Sequence, residues 1–163
     1  MYSHNDTQIS LLLADEIATV TFAAHLAPTI KAGIVIYLRG DLGAGKTTLV
    51  RALMHAMGHT GRVGSPTYSL LESYQIGKLH LRHFDLYRFN DASEWEAAGF
   101  RDEFNGENVC LIEWPERAQH LIPMADMEIT LEVSITATEC NGRNLTVRAI
   151  SQTGLECLNL LRN

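Results

Sequence analysis

The amino-acid sequence predicts an α/β protein with a mostly parallel sheet flanked by helices and an antiparallel hairpin near the C-terminus. Three observations carry this prediction. Residues 34–38 form a short apolar run, followed by a glycine-rich loop and then by apolar residues at helical spacing. Residues 109–112 form a second apolar run, typical of a strand buried on both faces of a parallel sheet. Residues 127–135 and 143–150 alternate between apolar and polar positions around Asn141-Gly142, a strong hairpin signal.

The first predicted helix begins after Asp15, whose side chain is suited to capping it, and runs to Ala27, just before Pro28. Its apolar stripe is expected to include Ile17, Val20, Ala24 and Leu26. The second predicted helix follows the glycine-rich loop. It is expected to end near Gly58, because glycine is favoured just past a helix C-terminus.

Glycine and proline mark residues 58–66 as a loop in the middle of the chain. Two strands are predicted after it, at residues 67–76 and 78–84, because both segments are rich in apolar and aromatic residues. They are joined through Gly77, which favours a tight connection between neighbouring strands.

Two further helices complete the predicted elements. One covers residues 91–104, with Ser93 as a possible cap and a break at Gly99. The other is a short amphipathic helix in the last ten residues. Its apolar positions are Leu155, Leu158 and Leu161.

Length and composition indicate one ordinary globular domain covering residues 1–163, with 46% hydrophobic and 20% charged residues. The formal net charge of −6 argues against nonspecific nucleic-acid binding, which needs a basic face. This charge still allows RNA to be reached through a partner protein. The odd number and wide spacing of Cys110, Cys140 and Cys157 predict buried free thiols. No signal peptide or membrane-spanning run is visible, so we expect a cytoplasmic protein that makes no membrane contact.

The glycine-rich loop GDLGAGKTT matches the phosphate-binding P-loop pattern G-x-x-x-x-G-K-[ST] at Gly40, Gly45, Lys46 and Thr47. Glycines let the backbone turn sharply, so that its N–H groups face an anion at the positive end of the next helix. Lys46 would contact the β- and γ-phosphates, and Thr47 would offer its hydroxyl to Mg²⁺. We therefore expect a P-loop NTPase-like fold. The expected nucleotide-binding residues of the loop are Asp41, Leu42, Gly43, Ala44, Gly45, Lys46, Thr47 and Thr48.

Two acidic residues, Asp85 and Glu113, each close an apolar run. A carboxylate at the C-terminal end of a parallel strand lies on the edge of the sheet where ligands of open α/β folds bind. A P-loop needs such an acid to hold Mg²⁺ or its water. Direct ligation, water positioning and structural bonding remain open for both residues at this point.

Other polar and aromatic residues are weaker candidates. The hydroxyl of Thr67, in SPTYSL, could sense a γ-phosphate through Mg²⁺, although a simple turn explains the segment equally well. His80 and His83 are three residues apart in a strand, so they should face opposite sides and not share a metal ion. Trp95 and Trp114 are interpreted as packing residues.

Four segments in series, GDLGAGKTT, SPTYSL, FDLYR and LIEWP, closely resemble the TsaE family, also called YjeE. This family comprises small bacterial ATPases needed to make threonylcarbamoyladenosine on tRNAs. The resemblance covers about residues 9–150 and is much more specific than the P-loop pattern alone. It implies ATP and Mg²⁺ as cofactors and TsaB and TsaD as partners. TsaD would transfer the threonylcarbamoyl group, and ATP hydrolysis would reset the complex.

The resemblance also implies roles for individual residues. Lys46 would hold phosphates, Thr47 and Glu113 would bind Mg²⁺, and Asp85 would be needed for hydrolysis. Lys46, Asp85 and Glu113 are thus the expected catalytic residues.

Three more residues take part through the same resemblance. Thr67 would belong to a switch-like loop, and Trp114 would lie beside the nucleotide. Glu16, in the segment ADEIAT, would lie near the adenine and is a weaker candidate.

The residues themselves favour Mg²⁺-assisted transfer of a phosphoryl group to water, with Asp85 or Glu113 orienting or deprotonating that water. No arginine is obviously placed to assist, and Arg88 is the nearest, so the isolated chain should be slow and activated by partners. A small-molecule kinase is the main alternative, but the scattered arginines do not suggest a phosphate lid. A GTPase is disfavoured, because the guanine-specifying N-K-x-D motif is absent from the sequence. A further alternative is a nucleotide-dependent scaffold, which would bind ATP without needing to hydrolyse it.

Overall fold

The computed structural model describes residues 6–64, 69–135 and 142–163. The strands along this part of the chain are β1 (Gln8–Leu13), β2 (Val35–Arg39), β3 (Leu71–Ile76), β4 (Leu79–Asp85), β5 (Val109–Glu113), β6 (Met127–Val133) and β7 (Arg143–Ala149). The helices are α1 (Glu16–Leu26), α2 (Lys46–Ala56), α3 (Ala92–Ala97) and α4 (Gln152–Arg162). Short 3₁₀ segments cover Ala27–Thr29, Phe100–Glu103 and Pro115–Ala118.

All these strands belong to one sheet with the order β1-β7-β6-β2-β5-β4-β3. The four central strands, β6, β2, β5 and β4, run parallel to one another. The outer pairings are antiparallel: β3 with β4 at one edge, and β7 with β6 and β1 with β7 at the other. The predicted α/β fold with its C-terminal hairpin is therefore confirmed. The hairpin of β6 and β7 continues the parallel sheet, because β6 also pairs with β2.

The sheet separates two apolar cores. Ile36 and Leu38 of β2 face the core formed with α1, α2 and α4. Val35 and Tyr37 face the other core, which contains Trp95 and a cluster of phenylalanines. Burial on both faces explains why β2 and β5 are nearly continuous apolar runs. None of the described helices is long and apolar enough to cross a membrane.

Helix α1 differs from the prediction in the face that it buries. Asp15 caps the helix as expected, because its Oδ1 accepts a hydrogen bond from the Ala18 N–H at 2.8 Å. Ile17 and Val20, however, are 75% and 52% exposed, and Ala24 is also exposed. The buried face instead consists of Thr19, Phe22, Ala23 and Leu26. Of the four residues predicted for the stripe, only Leu26 is buried, because contact with α2 and β1 selects the face that contains Phe22 and Ala23.

The other helices fit the prediction in position, with one correction. The predicted break lies at Gly99, whose φ of 71° ends α3 before a 3₁₀ segment begins. Asp91 caps α3, not Ser93, because the Asp91 carboxylate accepts bonds from the N–H and hydroxyl of Ser93. Helix α4 buries Leu158 and Leu161, while Leu155 is half-buried.

Strand β1 was not predicted. It forms the edge of the sheet and pairs with β7, with Ile9 opposite Val147. Its formation depends on pairing with β7, more than a hundred residues away in sequence, so no local pattern predicts it. The predicted turn at Asn141 and the start of the predicted strand at residue 67 lie outside the described residues.

Candidate functional site

The glycine-rich loop connects the carboxyl end of β2 to the first turn of α2. Gly45 precedes the helix with a φ of 105°, a left-handed conformation that residues with a Cβ rarely adopt. At Gly40 the backbone passes so close to β6 that an added Cβ would lie 2.5 Å from the Leu131 carbonyl oxygen. These two positions explain why the loop requires glycine.

A cavity of about 280 Å³ opens beside this loop. Its lining comes from the loop, from the first turn of α2 and from the ends of β4 and β5. The lining residues are Leu42, Gly43, Ala44, Gly45, Lys46, Thr47, Thr48, Asp85, Tyr87, Glu113 and Trp114. The parallel pairing of β4 and β5 sets Asp85 opposite Glu113 in register. The two predicted acids therefore meet at one edge of the sheet.

Lys46 is held inside the loop. Its side chain donates hydrogen bonds to the carbonyl oxygens of Gly40 and Asp41, and Nζ lies 4.1 Å from the centroid of the Trp114 ring. Only 5% of the residue is exposed. Burial lowers the pKa of Lys46, and the negative charge of Glu113 is the strongest of several that raise it. The ammonium is thus oriented by carbonyls and an aromatic ring before any anion binds.

Glu113 is the most enclosed acid of the site, with 2% of its surface exposed. The Thr47 hydroxyl lies 2.9 and 3.2 Å from its two carboxylate oxygens, and Nε2 of the buried His83 lies 2.6 Å from Oε2. A threonine hydroxyl and a carboxylate supply the oxygen ligands that Mg²⁺ prefers. Because Mg²⁺ commonly takes one or two carboxylates together with phosphates, this donor set fits the ion.

Asp85 has a more open environment. Its carboxylate accepts a hydrogen bond from the backbone N–H of Tyr87 at 3.2 Å and is only partly buried. The Tyr87 ring packs against Trp114, with a centroid distance of 5.0 Å. Trp114 itself has a φ of 58°. This left-handed conformation turns the chain directly after Glu113.

Arg143 supports the loop from the start of β7. Its guanidinium donates to the carbonyl oxygens of Ala44 at 2.9 Å and Gly43 at 3.1 Å. These two bonds tie the backbone of the loop at Gly43 and Ala44 to β7. Arg143 was not among the predicted site residues, because nothing local marks an arginine that contacts a loop about 100 residues earlier.

A second cavity of about 340 Å³ lies on the other side of the loop. It shares Ala44, Gly45 and Thr48 with the first cavity and is otherwise lined by α1, its cap and two strands. The remaining lining residues are Asp15, Glu16, Thr19, Leu131 and Arg143. Glu16 thus lies next to the loop but not beside Lys46.

Most predicted site residues therefore line one of the two cavities beside the loop, with two exceptions. Asp41 lines neither cavity: its side chain is exposed, and its carbonyl oxygen accepts hydrogen bonds from Lys46 and from the Ala44 N–H. Thr67 lies outside the described residues. His80 is exposed and His83 buried, so the two imidazoles point in opposite directions as predicted. Trp114 both packs on Tyr87 and lines the cavity.

The fold and the loop define an α/β protein with a P-loop-type segment between a central parallel strand and the helix that follows it. Residues 13–144 match the family described as "Threonylcarbamoyl adenosine biosynthesis protein TsaE". The chain belongs to the TsaE family.

Individual relatives agree with this assignment. The tRNA threonylcarbamoyladenosine biosynthesis protein TsaE of Haemophilus influenzae is 43% identical over 125 residues, which span 74% of this chain and 79% of the relative. The Bacillus subtilis protein of the same name is 38% identical over 70% of this chain and 71% of its own. The crystal structure of Bacillus subtilis YdiB superposes with a TM-score of 0.75 at 28% identity, covering 99% of this chain and 97% of that one.

Proposed function

We propose that this protein binds ATP with Mg²⁺ and hydrolyses it in support of threonylcarbamoyladenosine formation on tRNA. One observation carries the proposal: Lys46, Thr47, Asp85 and Glu113 all line one cavity at the N-terminus of α2. A cation, a hydroxyl and two acids at a helix N-terminus are the groups that phosphoryl transfer requires. The names of the relatives, which are tRNA threonylcarbamoyladenosine biosynthesis proteins, support the biological role.

In this proposal the loop backbone and the Lys46 ammonium bind the β- and γ-phosphates. Thr47 and Glu113 would hold Mg²⁺, which would neutralise charge on those phosphates. Asp85 orients the attacking water and accepts its proton as the water oxygen bonds to the γ-phosphorus and the bond to ADP breaks. We assign this task to Asp85 because both Glu113 oxygens already lie within hydrogen-bond distance of Thr47.

The base and ribose would extend toward the second cavity, where Glu16 and Thr19 offer polar groups. Thr67 and Trp114 remain proposed contacts of the nucleotide. Arg88 is exposed and does not line the cavity, so an arginine from a partner would supply the missing positive charge. We propose TsaB and TsaD as those cytoplasmic partners, with tRNA reached through them.

The test is an assay of ATP hydrolysis and tRNA modification with the reconstituted protein, TsaB and TsaD. We expect slow hydrolysis by the protein alone and a large increase with the partners. Lys46→Ala should abolish both activities, whereas Lys31→Ala, at an exposed lysine paired with Glu156, should have no effect. Rapid hydrolysis that the partners do not change would refute the proposed dependence. ADP formation only in the presence of a small-molecule acceptor would instead indicate a kinase.

A further inference from the structure

The buried imidazole of His83 contacts the carboxylate of Glu113 from the neighbouring strand. Nε2 lies 2.6 Å from Oε2, and His83 is completely enclosed. A carboxylate that binds a metal ion is ionised and only accepts hydrogen bonds, so the proposed role of Glu113 requires Nε2 to be the donor. The bond is therefore charge-assisted and belongs to the stronger class of protein hydrogen bonds.

The second ring nitrogen shows that His83 does not serve packing alone. Nδ1 is buried and has no hydrogen-bond partner among the described residues. Enclosing an imidazole with an unsatisfied nitrogen costs free energy that an apolar side chain would not cost. Leu81, two residues earlier on the same face of β4, is apolar and equally buried, so this face accommodates an apolar residue. The bond to Glu113 is the interaction that offsets this cost.

The other donor to Glu113 comes from the glycine loop side. Thr47 has a single hydroxyl proton, shared between two carboxylate oxygens at 2.9 and 3.2 Å, and its oxygen is itself a proposed Mg²⁺ ligand. Thr47 therefore cannot fix the rotation of the carboxylate independently of the metal. His83 contacts Oε2 from the neighbouring strand, whereas Oε1 is the carboxylate oxygen nearer to the Thr47 hydroxyl.

We propose that His83 is a positioning residue that holds Glu113 in the orientation in which it binds Mg²⁺. This inference rests on the proposed function, because it assumes that Glu113 is a metal ligand of the ATP complex. It assigns His83 no contact with the nucleotide. His83 should therefore affect how tightly Mg²⁺ binds to the ATP complex and leave metal-free ATP binding unchanged.

The experiment measures ATP binding by calorimetry across a Mg²⁺ series and in EDTA, using His83→Leu and His83→Gln. Leucine removes the donor while filling similar space, and the glutamine amide can place an N–H near the position of Nε2. His80→Leu, at the exposed histidine of the same strand, is the matched control. Thermal unfolding of each variant shows whether it is folded. Should His83→Leu not fold, His83→Asn takes its place, since its amide is too short to reach Glu113.

We expect His83→Leu to need about 10- to 100-fold more Mg²⁺ for half-maximal binding, the range for losing a hydrogen bond to a charged group. Metal-free ATP affinity should stay within about twofold, and His83→Gln should recover most of the loss. Three results would overturn the inference: unchanged Mg²⁺ dependence in His83→Leu, equal losses with and without Mg²⁺, or no recovery with glutamine. Failure of the proposed function would differ, because the unaltered protein itself would then bind no ATP.

Discussion

Glu113 and Asp85 end neighbouring parallel strands and stand opposite each other in register, yet their surroundings differ. Glu113 is enclosed and contacts Thr47 and His83. Asp85 is partly exposed, and its carboxylate accepts a bond from the Tyr87 N–H. Two acids that look equivalent in sequence thus occupy different chemical environments.

The difference suggests that the two acids have separate roles, with Glu113 binding the metal ion and Asp85 acting on water. A carboxylate that neighbouring donors hold in one orientation suits a metal ion, because the ion tolerates little movement of its ligands. A carboxylate open to solvent can exchange protons with water, as a group that orients or deprotonates water must. Four experiments, ordered from the largest expected effect to the smallest, can contradict or refine this division.

The largest effect is expected for Glu113→Gln. The amide keeps the shape of the side chain but loses the charge for Mg²⁺, so partner-stimulated hydrolysis should fall about 10³-fold. The Mg²⁺-dependent part of ATP binding should disappear as well. Steady-state hydrolysis and calorimetry check the two effects. Glu116→Gln, at a nearby acid paired with Arg39, is the control and should have little effect.

Asp85→Asn should reduce hydrolysis about 10²-fold, because it removes a group that orients and deprotonates water. ATP affinity should stay within about threefold with and without Mg²⁺, unlike the result for Glu113. Single-turnover kinetics and a binding titration separate the two quantities. If Asp85→Asn instead abolishes Mg²⁺ dependence, the two acids share the metal, and the proposed division is wrong. Unimpaired tRNA modification by this variant would favour the scaffold hypothesis.

Arg143→Ala should weaken ATP binding about 30-fold, since two hydrogen bonds to the loop carbonyls are lost at about 1 kcal/mol each. Because the loop contacts the phosphates and not the metal ion, the loss of ATP affinity should be the same with Mg²⁺ and in EDTA. Arg148→Ala, on the same strand but paired with Glu128, is the matched control. If ATP affinity fell only in the presence of Mg²⁺, Arg143 would instead contribute to metal binding, as Glu113 is proposed to do.

The smallest effect concerns the pH dependence of ATP binding. Burial lowers the pKa of Lys46, and Glu113 raises it more than Asp85 does. Affinity in EDTA should decline as pH rises through this lowered pKa, because the ammonium loses its charge. The decline in affinity should begin at lower pH in Glu113→Gln than in Asp85→Asn, because losing the Glu113 charge lowers the pKa of Lys46 more. Lys46→Arg should abolish the decline, because arginine stays charged. Equal displacement in both variants would mean that the two carboxylates interact equally with Lys46.

The loop and its context were predictable because their signals are local. All the predicted loop residues except Asp41 line one cavity, and the two acids at the ends of β4 and β5 line it as well. The side of α1 that faces the core was not predictable, since Ile17 and Val20 are as apolar as the residues that are buried. Contacts with other elements decide such a choice.

The contacts that separate the two acids were also invisible in the sequence. His83 approaches Glu113 from a strand 30 residues earlier, and Arg143 supports the loop from about 100 residues later. Nothing in the neighbourhood of either residue sets it apart from His80 or Arg148. Strand register alone brings them to the site.

The sequence by itself determined the glycine loop, the order of strands and helices around it and the two acids at strand ends. These features depend on backbone conformation and apolar periodicity, which a few adjacent residues specify. Tertiary structure alone decided which acid is enclosed, which histidine contacts it and which arginine supports the loop. Burial and hydrogen-bond partners arise from sheet register between distant segments, and that register exists only once the chain has folded.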